Sequence, residues 1–283
     1  LLMRVDLHLH TTASDGQHSP AEIVAMAHRI GLNVIAITDH DSTDGIAAAL
    51  EAGRAFGVRV IPGIELSAED DAGDVHMLGY FIDPGSAPLQ DKLREFREKR
   101  YDRGQIIVDK LAEMGMPLRW ERIVELAQSG KRPGSIGRPH IARAMVEAGY
   151  VESVKEAFDR YIHNGGPAYA ARARLTPEEA VALIHSAGGA AVLAHPGLLP
   201  EPIAMIERLV PAGLDGVEIT HPKNDETVRL NAKAAAARHG LLITGGSDFH
   251  GTAVSTVMMG AETPPEGCVA ALDTRARQIR SAQ

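Results

Sequence analysis

The chemistry-bearing residues of this chain begin at Asp6-Leu7-His8-Leu9-His10, followed at once by Thr11-Thr12-Ala13-Ser14-Asp15-Gly16. Val5, Leu7 and Leu9 alternate with Asp6, His8 and His10, the period of two that a strand requires. Both imidazoles are therefore expected on one face, with the leucines packed behind them. Two imidazoles at a strand end, with a carboxylate on the loop beyond, can start a metal site; the plain alternative is a pair of surface histidines. The same residue types recur at His40, Glu65, His76 and His195, and then at Asp248 and His250, which repeat the one-residue gap of the opening pair. Mixed imidazole and carboxylate donors suit Zn²⁺, Mn²⁺ or Fe²⁺ rather than Ca²⁺. The set is too large for one ion and suits two or three, with a carboxylate such as Glu65 bridging. Asp6 and Asp39 lie beside these donors and are read as acceptors for the outer ring N–H groups, with simple strand-end solvation the equal alternative for Asp39. His18, His28, His163, His185 and His239 fall outside these patterns and are read as structural or solvated.

Such donors need a scaffold that gathers distant segments. Strands are expected at residues 4–10, 33–38, 58–66, 74–82, 190–194, 214–220 and 241–245, most of them ending at a candidate ligand. Between them lie helical patterns. Ser19-Pro20-Ala21-Glu22 offers a cap, a first-turn proline and an early acid, and predicts a helix closing near Gly31. Thr176-Pro177-Glu178-Glu179 repeats that signature, and further helices are expected at about 45–56, after 201 and up to Gly240. Repeated β-α units imply a parallel sheet with helical crossovers. Ligands at strand carboxyl ends fit the active-site end of barrels and open α/β sheets. Residues 88–166 break the rhythm and read as a helical insertion, with one long first helix and further helices at 120–127, 138–148 and 153–162. Two units follow: residues 1–87 with 167–283, and residues 88–166.

Composition excludes several classes. The chain has 283 residues, 45% hydrophobic and 23% charged, as in ordinary globular proteins. A net charge of −8 argues against electrostatic capture of duplex nucleic acid or anionic membrane. The single cysteine, Cys268, rules out an intrachain disulfide, and a cytoplasmic location is expected. No leader is visible ahead of the first strand. Residues 180–200 carry no charged side chain, but His185, Gly188-Gly189, His195 and Pro196 make them a helix, a turn and a buried strand rather than a membrane span.

The ordered motifs DLHLHTTASDG, TDHD, PGIELSA, VHMLGYFID, AHPG, GVEITHP and GGSDFHG resemble the polymerase-and-histidinol-phosphatase (PHP) superfamily along nearly the whole chain. The central GSIGRPHIARAMVEAGYV is similar to the bacterial nucleoside 3′,5′-bisphosphate phosphatase subgroup, whose relatives are also linked to 5′-to-3′ trimming of short RNA. The resemblance implies an α/β fold: a distorted, TIM-like, seven-stranded β/α barrel with a helical insertion contributing to the substrate pocket. It also implies a trinuclear metal site with manganese, iron or zinc. By position it assigns one ion to His8, His10, Glu65 and Asp248, a second to Glu65, His76 and His195, and a third to Asp15, His40 and His250. The activity implied is phosphomonoester hydrolysis, on a small nucleotide or a short single-stranded RNA. Metal-activated hydroxide attacks phosphorus there, and His221 or His195 is the candidate proton donor. His195, His221 and Asp248 are thus the expected catalytic residues, with His221 also a candidate phosphate contact.

A second phosphate on the substrate would need its own anion site. Lys131-Arg132-Pro133-Gly134-Ser135-Ile136-Gly137-Arg138 offers glycines, the Arg138 fork and a helix start, although a plain basic loop has the same composition. Arg132, Ser135 and Arg138 are its candidate contacts. Arg100 and Arg103 interrupt an apolar helical stripe, so they either snorkel past their neighbours or face an anion; Tyr101 could stack on a base. Rival readings are a histidinol-phosphate phosphatase, a polymerase-associated exonuclease module, an amidohydrolase and a non-catalytic metal-binding module. The chain is too short to include a polymerase. No lysine lies near the early strand ends to bridge metals as many amidohydrolases do, and the complete donor set argues for turnover.

Overall fold

Short apolar runs and capped helices alternate along the chain, and a computed structural model describes residues 3–71, 73–129, 137–170, 175–252 and 256–283. In chain order the elements are β1 (Val5–Leu9), α1 (Pro20–Arg29), β2 (Val34–Ile37), α2 (Ile46–Phe56), β3 (Arg59–Asp70), β4 (Gly73–Tyr80) and α3 (Ala87–Glu113). Then come α4 (Trp120–Ser129), α5 (Arg138–Glu147), α6 (Val154–Ala157), α7 (Pro177–Ser186), β5 (Ala190–Leu193), α8 (Pro202–Leu209), β6 (Gly216–Thr220), α9 (Glu226–His239), β7 (Leu242–Gly245) and α10 (Cys268–Ser281). The chain divides into two compact units, Leu1–Asp91 with Arg174–Gln283, and Lys92–Ala173.

In the first unit the seven strands pair in sequence order, β1 to β7. The two edges then meet: Leu9 bridges Phe249, the His10 N–H donates to Phe249 O at 3.1 Å, and the Phe249 N–H donates to His8 O at 3.4 Å. The result is a seven-stranded, nearly closed, distorted β/α barrel. Its strands are not all parallel, which corrects the expectation drawn from β-α repetition. β3 and β4 form a hairpin, and β4 runs antiparallel to both β3 and β5. No helix separates these two strands, so nothing returns the chain to the starting end of the sheet.

Helix starts follow the sequence. Ser19 and Glu22 form a reciprocal capping box on α1, Thr176 and Glu179 do the same on α7, and Asp225 caps α9. Each cap satisfies amide groups that would otherwise lack partners, worth about 1 kcal/mol. One apolar cluster joins Val5, Leu7, Val34, Ile61, Leu78, Tyr80 and Val192 to Cys268, Val269 and Leu272 of α10. Another packs Leu9, Ile35, Ile37 and Phe249 against Ile23, Val24 and Ala27 of α1. α10 has no counterpart in the periodicity reading, which names no element beyond residue 245.

The second unit is helical. Ile107, Leu111, Ile123, Ile141, Met145 and Ile162 form its buried core. The helix expected at 153–162 is split into the short α6 and a π-type turn, Phe158–Ile162. Among the described residues no helix is long and apolar enough to cross a membrane.

Candidate metal centre

Pairing register, more than simple alternation, brings His8 and His10 together. The β1–β2 register slips between Asp6 and Leu9, so Leu7 and Leu9 enter different apolar clusters instead of packing side by side. Such irregularities re-aim side chains next to active sites. The Leu7 carbonyl accepts a hydrogen bond from the buried Tyr80 hydroxyl at 3.1 Å, and the two imidazole rings converge with centroids 5.1 Å apart. His40, His195, His221 and Asp248 come from just beyond the carboxyl ends of β2, β5, β6 and β7, and Glu65 from the middle of the long β3. His76 sits early in β4, opposite Ser67 of β3, and only the antiparallel direction of β4 brings it to the same rim. Gly246 lets the chain after β7 approach β1: a Cβ there would lie 2.4 Å from His8 Cβ. His195 and Asp248 hold φ of +26° and +54°, conformations that cost of order 1–3 kcal/mol each and recur where geometry is dictated by a site.

The Glu65 carboxylate is the hub. Its Oε1 lies 2.8 Å from His76 Nδ1 and 3.0 Å from His195 Nε2. Its Oε2 lies 3.3 Å from His8 Nε2, 3.2 Å from His10 Nε2 and 3.1 Å from His40 Nδ1. Asp248 Oδ1 approaches the same His8 and His10 nitrogens at 3.4 and 3.1 Å. Beyond them, Asp15 Oδ1 is 3.3 Å from His250 Nε2, and its Oδ2 is 3.8 Å from His40 Nε2. Among the described residues four donor groups result, each with atoms within 4.8 Å of one another: His10-Asp15-His40-His250, His8-His10-Glu65-Asp248, His40-Glu65-His76 and His8-Glu218-His221. All nine residues expected from the sequence as ligands lie at this rim.

Competing forces set the charges. Burial opposes charging of His8, but the carboxylates of Glu218, Asp248 and Glu65 outweigh it and hold the ring well above its ordinary range. Burial also opposes charging of His10, yet Asp248 and Glu65 push it up to about 10. At His76 the same contest, with Glu65 the main carboxylate, ends in a raised value. For His40 burial prevails: neighbouring His10 and His76 add to it, and Glu65 does not compensate, so the ring is pushed down to about 3. Burial disfavours the charged forms of Glu65, Asp248 and Asp15, and the surrounding imidazoles more than reverse that and hold all three below the carboxylate range.

These residues fit divalent cations. Buried nitrogens of His10, His40, His76 and His221 have no hydrogen-bond partner, although carboxylate oxygens lie within 3.1, 3.1, 2.8 and 3.5 Å of them. The nitrogens and oxygens stand side by side instead of pointing along a shared N–H axis. Buried polar atoms are rarely left that way unless another centre takes them, and borderline-soft cations accept this N/O mixture.

The outer ring partners differ from the sequence reading. Asp39 accepts from Thr11 N–H (2.8 Å), Thr11 Oγ1 (2.7 Å) and the Ser14 hydroxyl, and reaches an imidazole only through Ser14, 3.3 Å from His10 Nδ1. Asp6 accepts from Ser247 N–H and Oγ and from Gly260 N–H, tying β1 to the GGSDFHG segment. The acid that meets an imidazole directly is Glu218, which the sequence reading passed over. It is buried, with Oε1 3.0 Å from His8 Nδ1 and Oε2 accepting the His195 backbone N–H at 2.8 Å. Its signal was available: a carboxylate in the middle of the buried Gly216–Thr220 strand needs a dedicated partner. His221 is buried, accepts the Lys223 N–H at Nδ1 (3.0 Å), and lies 3.5 Å from Asp248 Oδ2 through Nε2.

Of the expected substrate contacts, Arg132 and Ser135 lie outside the described residues, and Arg100 falls within α3. Arg103 donates to Ala170 O at 2.8 Å and lies over the Tyr169 ring. Arg138 donates to Ile162 O and Asn164 Oδ1 and lies over Phe158. Both guanidinium groups thus brace their own helical unit.

Comparison with known proteins agrees with this geometry. The PHP domain family matches residues 6–163. The chain is 34% identical over 251 residues to the 5′-3′ exoribonuclease Rnm of Salmonella typhimurium, covering 87% of this chain and 84% of the relative. It is 33% identical over 253 residues to a 3′,5′-nucleoside bisphosphate phosphatase of Chromobacterium violaceum, covering 88% of each. A phosphoribosyl 1,2-cyclic phosphate 1,2-diphosphodiesterase of Eggerthella lenta is 35% identical over 251 residues, covering 87% of this chain and 94% of the relative. Among solved structures, a candidate metal-dependent phosphoesterase from Bifidobacterium adolescentis superposes with a TM-score of 0.80 at 32% identity over 96% of both chains.

Proposed function

The chain belongs to the PHP-domain family of metal-dependent phosphoesterases, and from that premise we propose that it removes the 3′-phosphate of nucleoside 3′,5′-bisphosphates. Adenosine 3′,5′-bisphosphate would give AMP and phosphate. The observation that carries this reading is the Glu65 carboxylate meeting five imidazoles, with Asp248 and Asp15 completing the set. Three divalent cations, manganese foremost and iron or zinc as alternatives, are assigned to His8-His10-Glu65-Asp248, to Glu65-His76-His195 and to Asp15-His40-His250. His40 approaches both Glu65 and Asp15 and so joins two of these groups. When bound, the cations would acidify a water to near neutrality and neutralise phosphate charge.

The chain's own residues have distinct tasks. Asp248 and Glu65 hold the ring nitrogens of His8 and His10 in one place, and the left-handed backbone at His195 and Asp248 presents their side chains to the rim. The Lys223 N–H occupies Nδ1 of His221, so the neutral ring carries its proton on Nε2. A neutral ring lends a hydrogen bond but does not give up its proton, so His221 would steady a phosphate oxygen or the departing ribose oxygen through Nε2–H, and the proton the ribose oxygen takes up would come from solvent water. His195, bonded to Glu65, serves as a ligand in this scheme. A second phosphate would need an anion site of its own, for which Arg100, Arg103, Arg132, Arg138 and Ser135 are the candidate contacts.

A second reading, nucleotide-by-nucleotide trimming of short RNA from its 5′ end, is favoured by the relative named an exoribonuclease over 87% of this chain. Manganese-loaded protein should be assayed for phosphate release from nucleoside 3′,5′-bisphosphates, mononucleotides and histidinol phosphate, and for mononucleotide release from a short 5′-phosphorylated RNA. A higher kcat/KM on the bisphosphate supports the proposal. A preference for RNA replaces it with the second reading, and no turnover on any substrate leaves a binding module.

A further inference from the structure

Glu218 belongs to none of the three cation groups, yet its surroundings are unlike those of an incidental buried acid. It is fully buried on β6 beneath three imidazoles. The ring centroids of His8 and His195 are 5.8 Å apart, those of His195 and His221 5.2 Å, and those of His8 and His221 5.9 Å. One oxygen takes the His8 Nδ1–H at 3.0 Å. In the neutral, ligating form of the ring that bond leaves Nε2 bare, and Nε2 is the atom facing Glu65 and Asp248. The other oxygen accepts the backbone N–H of His195 at 2.8 Å, the residue held at φ +26°. The strand beneath is itself pinned, because Asn224 Nδ2 donates to the carbonyls of Glu218 and Ile219, and Asn224 Oδ1 accepts the Gly197 N–H.

We propose that Glu218 is the positioning residue of the centre. One carboxylate fixes which nitrogen His8 presents and holds the strained backbone that aims His195, so it couples ligands of two different cations. A carboxylate behind a ligating histidine commonly sharpens ring orientation and raises ligand basicity. Here the same group also restrains the peptide of a second ligand. The inference rests on the metal-centre reading above, so its test measures cation binding directly.

Metal-stripped parent and Glu218→Gln proteins should be titrated with Mn²⁺, with free ion followed by electron paramagnetic resonance and folding followed by thermal melting. The amide of Gln can serve one of the two contacts but supplies no charge. Affinity for the cations touching His8 and His195 is expected to fall about 10- to 100-fold, while the Asp15-His40-His250 group retains its ion. Glu218→Asp should recover part of the loss. Affinities equal to the parent's in a folded Glu218→Gln protein would overturn the proposal, as would a drop in melting temperature without any change in binding. Should the Gln variant not fold, the parent answers alone. In zinc-loaded protein, long-range ¹H–¹⁵N spectra should place the His8 proton on Nδ1, and a proton on Nε2 would overturn the assignment. A parent that binds no manganese and releases no phosphate defeats the metal-centre reading and this role together, whereas equal binding by parent and variant defeats only the role of Glu218.

Discussion

Glu65 and Asp215 are both carboxylates sealed inside the same barrel unit, at opposite ends of its strands, and their surroundings differ in kind. Asp215, just ahead of β6, has a matched set of donors: His185 Nε2 at 2.8 Å, the Ala191 N–H at 2.7 Å and the Arg275 guanidinium. Glu65 faces five imidazole nitrogens, several of which form no hydrogen bond. At one end these groups are spent on tying the start of β6 to β5, α7 and α10. At the other, polar groups outnumber the bonds available among themselves, and the backbone is strained at His195 and Asp248. Asp215 serves the packing of its neighbours and Glu65 the proposed cation centre, so substitutions of the two carboxylates should fail differently.

The largest effect is expected at the rim. Glu65→Gln removes a carboxylate shared by two of the proposed cation groups, worth several kcal/mol of charge stabilisation, so kcat/KM for phosphate release should fall by roughly a thousandfold or more. A loss under tenfold would break the contrast. At the base, Asp215→Asn should cost about 2–4 kcal/mol of stability, because Arg275 and His185 lose the charge that satisfies them. Activity per folded molecule should stay at the parental level, checked by denaturant melts alongside kinetics.

The pH dependence of that stability difference sharpens the point. Burial opposes ionisation of Asp215, but the bonds from His185, Ala191 and Arg275 prevail and hold its folded pKa below the ordinary 3.8. A depressed carboxyl stabilises above its unfolded pKa and ceases to do so as pH falls through the folded value. The gap between parent and Asp215→Asn should therefore be constant near neutrality and close in acid below about pH 4. A gap that persists at pH 2 would assign the cost to packing.

Proton release upon metal binding is a subtler rim signature. His10, pushed up to about 10, is protonated at neutral pH, whereas His40, at about 3, is not. A ligating imidazole must be neutral, so manganese binding near pH 7.5 should release protons, read by calorimetry in buffers of different ionisation enthalpy. Equal heats in all buffers would count against it. The smallest effect concerns Cys268, whose buried thiol is pushed up to about 12. It should resist a thiol-specific chromogenic reagent at pH 8 in the native state and react only on unfolding.

The expected donors were legible because they interrupt apolar strands or follow directly on strands and turns, where a polar residue has no packing role. What escaped was whatever depends on partners distant in the chain. The direction of β4 turns on a hairpin at Asp70-Asp71 that strand periodicity does not report. The register slip in β1 leaves the alternation of Leu7 and Leu9 unchanged in the sequence while sending them to different clusters. Asp6 and Asp39 look like imidazole partners because they are sequence neighbours of the ligands, yet their oxygens are taken by Ser247, Gly260, Thr11 and Ser14. Glu218 lies within GVEITHP, and its meaning comes from His8, far away along the chain.

The bridge between Leu9 and Phe249 also has a kinetic meaning. Phe249 lies between Asp248 and His250, so the peptide that seals the barrel is flanked by two donors, and Leu9 likewise stands between His8 and His10. Sealing the barrel and assembling the cation cradle are a single event, and one of the most sequence-distant contacts in the chain. Long-range pairings of this kind form late and slow folding. Dissolved manganese should accordingly leave the early collapse of the chain unchanged and act as a latch on its final step, slowing unfolding far more than it speeds folding.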